Sequence, residues 1–529
     1  MMFTNLKSTW KRLLAMSMLA ATTVAAPAAD LRIGIKSEVT AADPHVLAPS
    51  NRNVWLHVYD TLVGQDATLR AVPRLARGWR AIDATTWEFV LRPNVTFHDG
   101  SPLTAEDVKA SIDRAKNLSG PRTYRTYLQD VDSVVVADPL KVHIKTKEPS
   151  PALPDNISLI AIIPKSKAQA DEDAFSRGDA AVGSGPYRFS EWARGERVVL
   201  VRNDKYWGAR EPWDKVVFQF IPKEPARASA LLSDAVDLID GTHAGMADAF
   251  ASSGRVTQAS TPSYWLNYLG TDQHRTSSPH VSDVNGRALP ANPFQNLKVR
   301  QAIHLAINRE AIARHVMKGD AVPTAQIVPA GFFGHDAALV APAGDLAKAR
   351  ALLVEAGYPQ GFKVTLHCPN DRYLNDAKVC EAIGQMLTQA GLKMAVQAMP
   401  YSVLLSRVAA AEPDVSLYML GIGAVTGDSL APLRAVVQSY DKKKGQGANN
   451  YGRYSHAEID QLIDKAATAM NPAERENLQR SAARLVAQDL GIIPVHHLKS
   501  SWALRKGLTI TPRADGFTFA TDVRDASVK

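Results

Sequence analysis

Hydrophobic positions along this chain alternate between a period of two and a period near 3.6, which predicts a mixed α/β protein. Leu31-Arg-Ile-Gly-Ile reads as a first strand, and Trp87-Glu-Phe-Val-Leu-Arg as another. Val131 to Val136 and Val142 to Lys147 flank Ala137-Asp-Pro-Leu and predict a hairpin. Asn53 to Val63 predicts a helix, with Val54, Trp55, Val58 and Leu62 on its apolar side. Gly183-Ser-Gly-Pro interrupts the pattern and marks a re-entry into strands at Arg197 to Arg202 and Val216 to Ile221. A helix over Glu224 to Leu232 follows, then Ala235-Val-Asp-Leu-Ile-Asp.

The longest helical patterns come later. Val299, Ile303, Ala306, Ile307, Ala311 and Ile312 share one apolar face. Leu346 to Ala356 stops at Gly357, and Ala377 to Ala390 stops at Gly391. Ala473 to Leu490 opens on Asn471-Pro472, a cap followed by a first-turn proline. No internal repeat or low-complexity block breaks this order.

A length of 529 residues implies two to four lobes at roughly 100–200 residues each. The chain is 46% hydrophobic and 22% charged, as expected of a globular protein. Its net charge of +8 is dispersed. The one basic run, Lys442-Lys443-Lys444, sits among glycines and reads as a solvated loop, so nucleic acid is not an expected partner. Lys7, Lys11 and Arg12 precede an apolar run and small residues, the pattern of a secretory signal peptide over residues 1–28 with cleavage after Ala28. The run, about 14 residues, is shorter than the ~20 a membrane helix needs. An exported, periplasmic protein is therefore expected. Cys368 and Cys380 would join a strand end to the next helix; spacing alone leaves both a bridge and free thiols open.

The stretch from Thr96 to Arg114 gathers His98, Asp99, Glu106 and Asp107, which invites an acid–base reading. Asp99-Gly100-Ser101-Pro102 is turn chemistry, however, and Thr104 with Asp107 has capping-box spacing before an apolar face of Val108, Ile112 and Ala115. His98 is expected to pack at a strand end. Gly421-Ile-Gly-Ala-Val-Thr-Gly has one residue too many for a dinucleotide fingerprint. His496 and His497, adjacent on a strand, point to opposite faces and suit no shared metal. No catalytic residues, metal or cofactor are expected.

Several segments in a fixed order carry a resemblance. They are Pro73-Arg-Leu-Ala-Arg-Gly-Trp, Thr86 through Val108, Gly183-Ser-Gly-Pro-Tyr-Arg-Phe, Arg202-Asn-Asp-Lys-Tyr-Trp, Val299-Arg-Gln-Ala-Ile, Ala306-Ile-Asn-Arg and Glu355-Ala-Gly-Tyr. Together they resemble the family 5 extracellular solute-binding proteins of bacterial ATP-binding-cassette (ABC) importers, the dipeptide, oligopeptide and nickel group. That resemblance implies a type II periplasmic binding protein fold, cluster C-like: two hinged α/β lobes and an extra α+β domain. Lobe I would hold residues 29–70, 183–265 and 500–529, the extra domain 71–182, and lobe II 266–499. The implied function is capture of a peptide or peptide-like solute by a monomer, which delivers it to separate ABC permease and ATPase subunits. A nickel chelate or an opine-like solute is the alternative within binding. An exported hydrolase is the alternative class, and the sequence lacks a nucleophile–base pattern for it.

Peptide binders of the family carry Gly-Trp-x-x-Asp-x-x-Asp-Pro, whose first Asp meets the peptide's ammonium. Here Ile422 replaces the Trp and Val425 that Asp, leaving Asp428 three residues on. Thr426-Gly427-Asp428 and Gly516-Phe-Thr-Phe are similar instead to the glutathione-binding branch. Candidate ligand-binding residues are Glu38 as an amine partner, Tyr264, Trp265 and Asn267 near the hinge, and Arg372, Tyr373 and Asn375 on a strand–helix loop. Gly421, Ile422, Val425, Thr426 and Asp428 complete the set, with Gly421 and Gly423 giving a ligand close access to backbone.

Overall fold

The computed structural model describes residues 30–120 and 122–526; the expected signal peptide lies outside the described residues. A twelve-stranded sheet runs through the molecule. At one end Asp30–Ile35 pairs in parallel with Lys215–Phe220, which continues antiparallel into Arg197–Arg202 and Tyr187–Ala193. At the other, Lys363–Pro369 pairs in parallel with Lys393–Met399 and with Leu417–Gly423. Two long strands, Val256–Thr271 and Ile493–Arg505, join the ends and make this one sheet serve two lobes. A separate four-stranded antiparallel sheet includes Ala76–Asp83, Thr86–Leu91 and the hairpin Val131–Asp138/Lys141–Thr146.

Burial follows the strand period. Leu417 and Met419 lie in one core, Tyr418 and Leu420 in another on the opposite face of the same strand. Leu31, Ile33 and Ile35 of the first strand enter a third core with Trp55, Phe218 and Trp502. The four-stranded sheet packs Phe89, Leu91 and Ile144 against the helix Ala105–Asn117, through Val108, Ile112 and Ala115.

The stretch that looked catalytic is a structural corner. Asp99 accepts bonds from the Ser101 amide and hydroxyl, and Asp107 from the Thr104 amide and hydroxyl. His98 Nε2 lies 3.0 Å from the Gly185 carbonyl and its Nδ1 accepts from the Gly183 amide. Burial lowers the pKa of this imidazole, which suits a neutral ring between a carbonyl and an N–H. His98 thus pins the Gly183 re-entry. That turn passes so close to the chain at His57 and Val58 that a Cβ on Gly183 would sit 1.9 Å from the Val58 carbonyl oxygen.

Two helix expectations need correction. The helix over Asn53 to Val63 is instead Pro49–Trp55. The carbonyls of His57 and Val58 accept from Tyr187 and Gly185, so pairing with the re-entrant segment overrides the helical pattern. The apolar face from Val299 to Ile312 does not form one helix. Leu297–Ala306 ends at an extended Ile307, and Asn308 caps a new turn through the Ala311 amide. Buried Arg309 holds the break by donating to the carbonyls of His304, Ile307 and Pro494. The cysteine question resolves as a bridge between Cys368 and Cys380.

The turn at Gln65 to Arg70 packs against the lobe that carries Leu417–Gly423. Leu69 enters that lobe's core, and a Cβ on Gly427 would lie 2.4 Å from the Leu69 carbonyl oxygen. Nearby, Arg475 spans two carboxylates: Asp155 at 3.7 Å, beside the four-stranded sheet's core, and Asp428 at 3.4 Å. Its guanidinium lies 4.4 Å from the Phe333 ring centre. Burial, then repulsion from Asp428, pushes the Asp155 carboxyl up to about 7; burial also raises Asp428.

A carboxyl raised in this way holds its proton in the folded state after the unfolded chain has released it. The associated stability is complete below the ordinary carboxylate range and is lost as pH rises through about 7. Asp155→Asn should therefore melt higher than the parent at pH 8 and match it near pH 4. Melting curves across that range check this, and an equal difference at both pH values refutes it.

Candidate functional site

The two long strands do not pair evenly. Pro262 faces Lys499 and Leu266 faces His497, so one strand advances four positions while the other moves two. Pro262 has no N–H to give to the ladder, and the excess residues bulge out. The bulge is stabilised locally: the Trp265 amide donates to Ser263 Oγ, and the Tyr264 amide to the Ala514 carbonyl. Tyr264 and Trp265 line a cavity of about 510 Å³ at this bend.

One wall comes from the loop after Lys363–Pro369. Asp376, first residue of the helix Asp376–Gln389, accepts from the amides of Arg372 and Tyr373, while Asn375 takes the left-handed conformation before it. Asp371 accepts from the Tyr401 amide. The Cys368–Cys380 bridge closes this loop at its base. Tyr373 is fixed further by its hydroxyl, which accepts from the Gly421 amide at 2.9 Å. A Cβ on Gly421 would meet the Tyr373 ring at 2.8 Å, and one on Gly423 the Tyr264 ring at 2.6 Å. These glycines thus admit two aromatic rings, not a ligand's backbone. Burial pushes both tyrosines up to about 12, so they act as neutral hydroxyls. The Arg372 guanidinium sits 5.7 Å from the Trp265 ring centre and 5.2 Å from that of Tyr401.

The facing wall comes from the other lobe: Lys36 and Ser37 beyond the first strand, Asp240 and Gly241 at the end of Leu238–Asp240, and Asp515 to Phe517 near the C-terminal end. Its carboxylates are engaged. Asp240 accepts from the Lys36 amide and lies 3.8 Å from Arg227; Asp515 pairs with Arg513 at 2.8 Å and accepts from the Phe517 amide. The cations are not engaged in this way. Among the described residues, no carboxylate lies within 4.0 Å of the charged groups of Lys36, Arg372 or Lys499. A second cavity, about 280 Å³, shares Asp515 but compensates its own charges through Arg74–Asp60 and Arg513–Asp515. Two roomier cavities, about 600 and 690 Å³, have no Tyr, Trp or Phe in their walls; the aromatic-walled cavity at the bend is therefore the candidate site.

Of the residues singled out in the sequence, Tyr264, Trp265, Arg372 and Tyr373 line this cavity, and Gly421 underlies it. The others lie elsewhere. Glu38 is exposed and accepts from the Gly195 amide. Asn267 is fully buried, 3.4 Å from His496 Nε2. Asn375 donates to the Val316 carbonyl. Ile422 packs on a core, Val425 accepts from Gln65 through its carbonyl, and Thr426 is buried. Asp428 is held by Arg475 and the Leu430 amide. Lys36, Asp240, Lys499 and Phe517 were not anticipated, because chain ends and strand ends distant in sequence meet only in the folded sheet. Gly516-Phe-Thr-Phe was the one signal for that wall.

Comparison with known proteins places this geometry in context. Residues 70–444 match the profile described as bacterial extracellular solute-binding proteins, family 5 Middle. The glutathione-binding protein GsiB of Pectobacterium atrosepticum is 29% identical over 464 residues, covering 86% of each chain. Among solved structures, HbpA2 from Haemophilus parasuis superposes with a TM-score of 0.81 at 22% identity, over 94% of this chain and 99% of that one. AgaA from A. tumefaciens R10, in complex with agropinic acid, gives a TM-score of 0.69 at 25% identity, over 94% and 98%.

The bridge closes a short loop, with the cysteines 12 positions apart. Chain entropy assigns about 3 kcal/mol to such a closure. Replacing both cysteines by alanine should lower stability by that order. It should also speed amide exchange at Arg372 and Tyr373, the residues the loop presents. Unchanged exchange there would show that Asp376 and Asp371 hold the loop unaided.

Proposed function

The chain belongs to the bacterial extracellular solute-binding proteins of family 5, and from that premise we propose that it captures a small peptide-like solute in the hinge cavity and delivers it to an ABC importer. It works in the periplasm, as a monomer, after loss of residues 1–28. It binds without turning the solute over, and a separate permease and ATPase perform transport. Residues 29–70, 183–265 and 500–529 move as one lobe against 266–499, with 71–182 carried as an extra domain. The observation that carries this reading is the aromatic-walled cavity of about 510 Å³, whose walls come from both lobes and whose floor is their hinge. That volume falls in the range of small-molecule sites, roughly 300–1,000 Å³.

Glutathione-like compounds are the leading candidates within the peptide-like class. Support comes from the name of the relative and from Thr426-Gly427-Asp428. A second reading, an opine-like conjugate of an amino acid, is favoured by Val425, which leaves no carboxylate where peptide binders of the family place one. The neighbour bound to agropinic acid points the same way.

Thermal unfolding of the mature protein against glutathione, di- and tripeptides, acetylated peptides, opines and nickel–histidine separates these readings. The cognate solute at about 100 times its Kd should add ~2.7 kcal/mol of stability. A shift with nickel–histidine alone would sink both the peptide-like and the opine-like reading.

A further inference from the structure

We propose that the hinge cavity selects a solute carrying two carboxylates, one seated on Arg372 and the other held by Lys36 and Lys499. This rests on the cavity being the solute site. Three cations line it without a carboxylate within 4.0 Å, and at longer range Lys36 shares the buried Asp240 with Arg227 and Lys499 acts on Asp320; the other carboxylate in the wall, Asp515, is paired with buried Arg513. The cavity therefore carries surplus positive charge, which a multiply anionic solute neutralises on entry.

The arrangement is also directional. Arg372 is presented by the disulfide-closed loop of one lobe, and Lys36 by the end of the first strand of the other. Lys499 stands on the hinge strand, opposite Pro262. Arg372 is flanked by Trp265 and Tyr401, which orients its planar fork for a carboxylate. Gly241 leaves room for the Lys36 stem, since a Cβ there would meet Lys36 Cδ at 2.9 Å. Cations on both lobes repel as the cleft narrows, and a dianion that touches both sides reverses the sign of that interaction. A solute with one carboxylate satisfies only one wall.

Calorimetric titration of the intact mature protein tests this with matched pairs: glutathione and its C-terminal monoethyl ester, glutamyl dipeptides and their amides, and an N-carboxyalkyl amino acid and its monoester. In each pair that binds, the diacid should bind at least tenfold more tightly. Arg372→Gln and Lys36→Met should each erase most of that preference. Both side chains are exposed, so each variant should still fold and unfold cooperatively without solute, with Lys36→Met melting lower because Lys36 offsets the charge of buried Asp240. An ester or amide that binds as tightly as its parent acid overturns the proposal while leaving the peptide-like reading intact. Binding of the N-carboxyalkyl amino acid alone, with the preference lost in Arg372→Gln, upholds the proposal and overturns the peptide-like reading. A preference unaffected by either substitution overturns the assignment of these cations.

Discussion

Everything in this molecule depends on the uneven pairing of Val256–Thr271 with Ile493–Arg505. A sheet that continues through two lobes would ordinarily make them one rigid body. Here the ladder is broken at Pro262, where two extra residues bulge and the strand direction changes. Val256 to Pro262 keep register with Lys499 to Arg505; beyond the bulge, Leu266 to Leu269 continue opposite His497 to Ile493, and Trp265 to Thr271 gain Leu417–Gly423 on their other edge. At the bend the ladder between the two strands is interrupted, and the side chains of Tyr264 and Trp265 face a cavity there.

The cavity's walls are stiff where its floor is not. Tyr373 is held from three directions: the Gly421 amide on its hydroxyl, the Asp376 carboxylate on its own amide, and the disulfide beneath its loop. The absence of side chains at Gly421 and Gly423 lets Tyr373 and Tyr264 lie against the strand. Such pre-organisation limits the entropy lost when a solute is bound, because few rotamers remain to be fixed. Away from the cavity, the Leu69 turn and the Asp155–Arg475–Asp428 cluster cross between lobes through close packing and a shared charge. A guanidinium placed between two buried carboxylates avoids the larger penalty of leaving either ion uncompensated.

Elements whose signals are local were legible in the sequence. The strand Arg197–Arg202 and the helix Glu224–Leu232 have the predicted bounds, and the glycine stops at Gly357 and Gly391 follow real helices. Two failures share one cause. At His57 and at Ile307 the hydrophobic period continues, but the backbone is held from outside the helix: His57 by the Gly185 turn, and Ile307 by the Arg309 side chain, itself anchored on the distant Pro494 carbonyl. The site divides in the same way. Tyr264 and Trp265 stand out as adjacent aromatics near the expected hinge, and Arg372 and Tyr373 as a charged and an aromatic residue in a strand–helix loop. Lys36 and Lys499 do not, since a lone lysine at a strand end reads as solvated. Only the fold shows that these lysines share a cavity and have no carboxylate within 4.0 Å among the described residues. Asp428 misled for the opposite reason: a carboxylate in a polar loop resembles a ligand contact until its buried partner Arg475 is seen.

The division of the cavity between lobes determines what kind of ligand can act on the hinge. A solute that touched only Arg372, Tyr373 and Trp265 would bind an open and a closed arrangement equally well, and would move neither. Differential affinity comes only from contacts that closure creates, so a solute must reach both walls of the cavity to move the hinge. Shifting a pair of states from 1:99 to 99:1 requires about 5.5 kcal/mol of such difference. Hydrogen bonds to charged groups contribute roughly 1.5–3 kcal/mol each. Two or three such bonds made only on closure would supply the required difference. On the proposal above, a solute that bridges Arg372 on one wall and Lys36 on the other is the kind that couples affinity to closure.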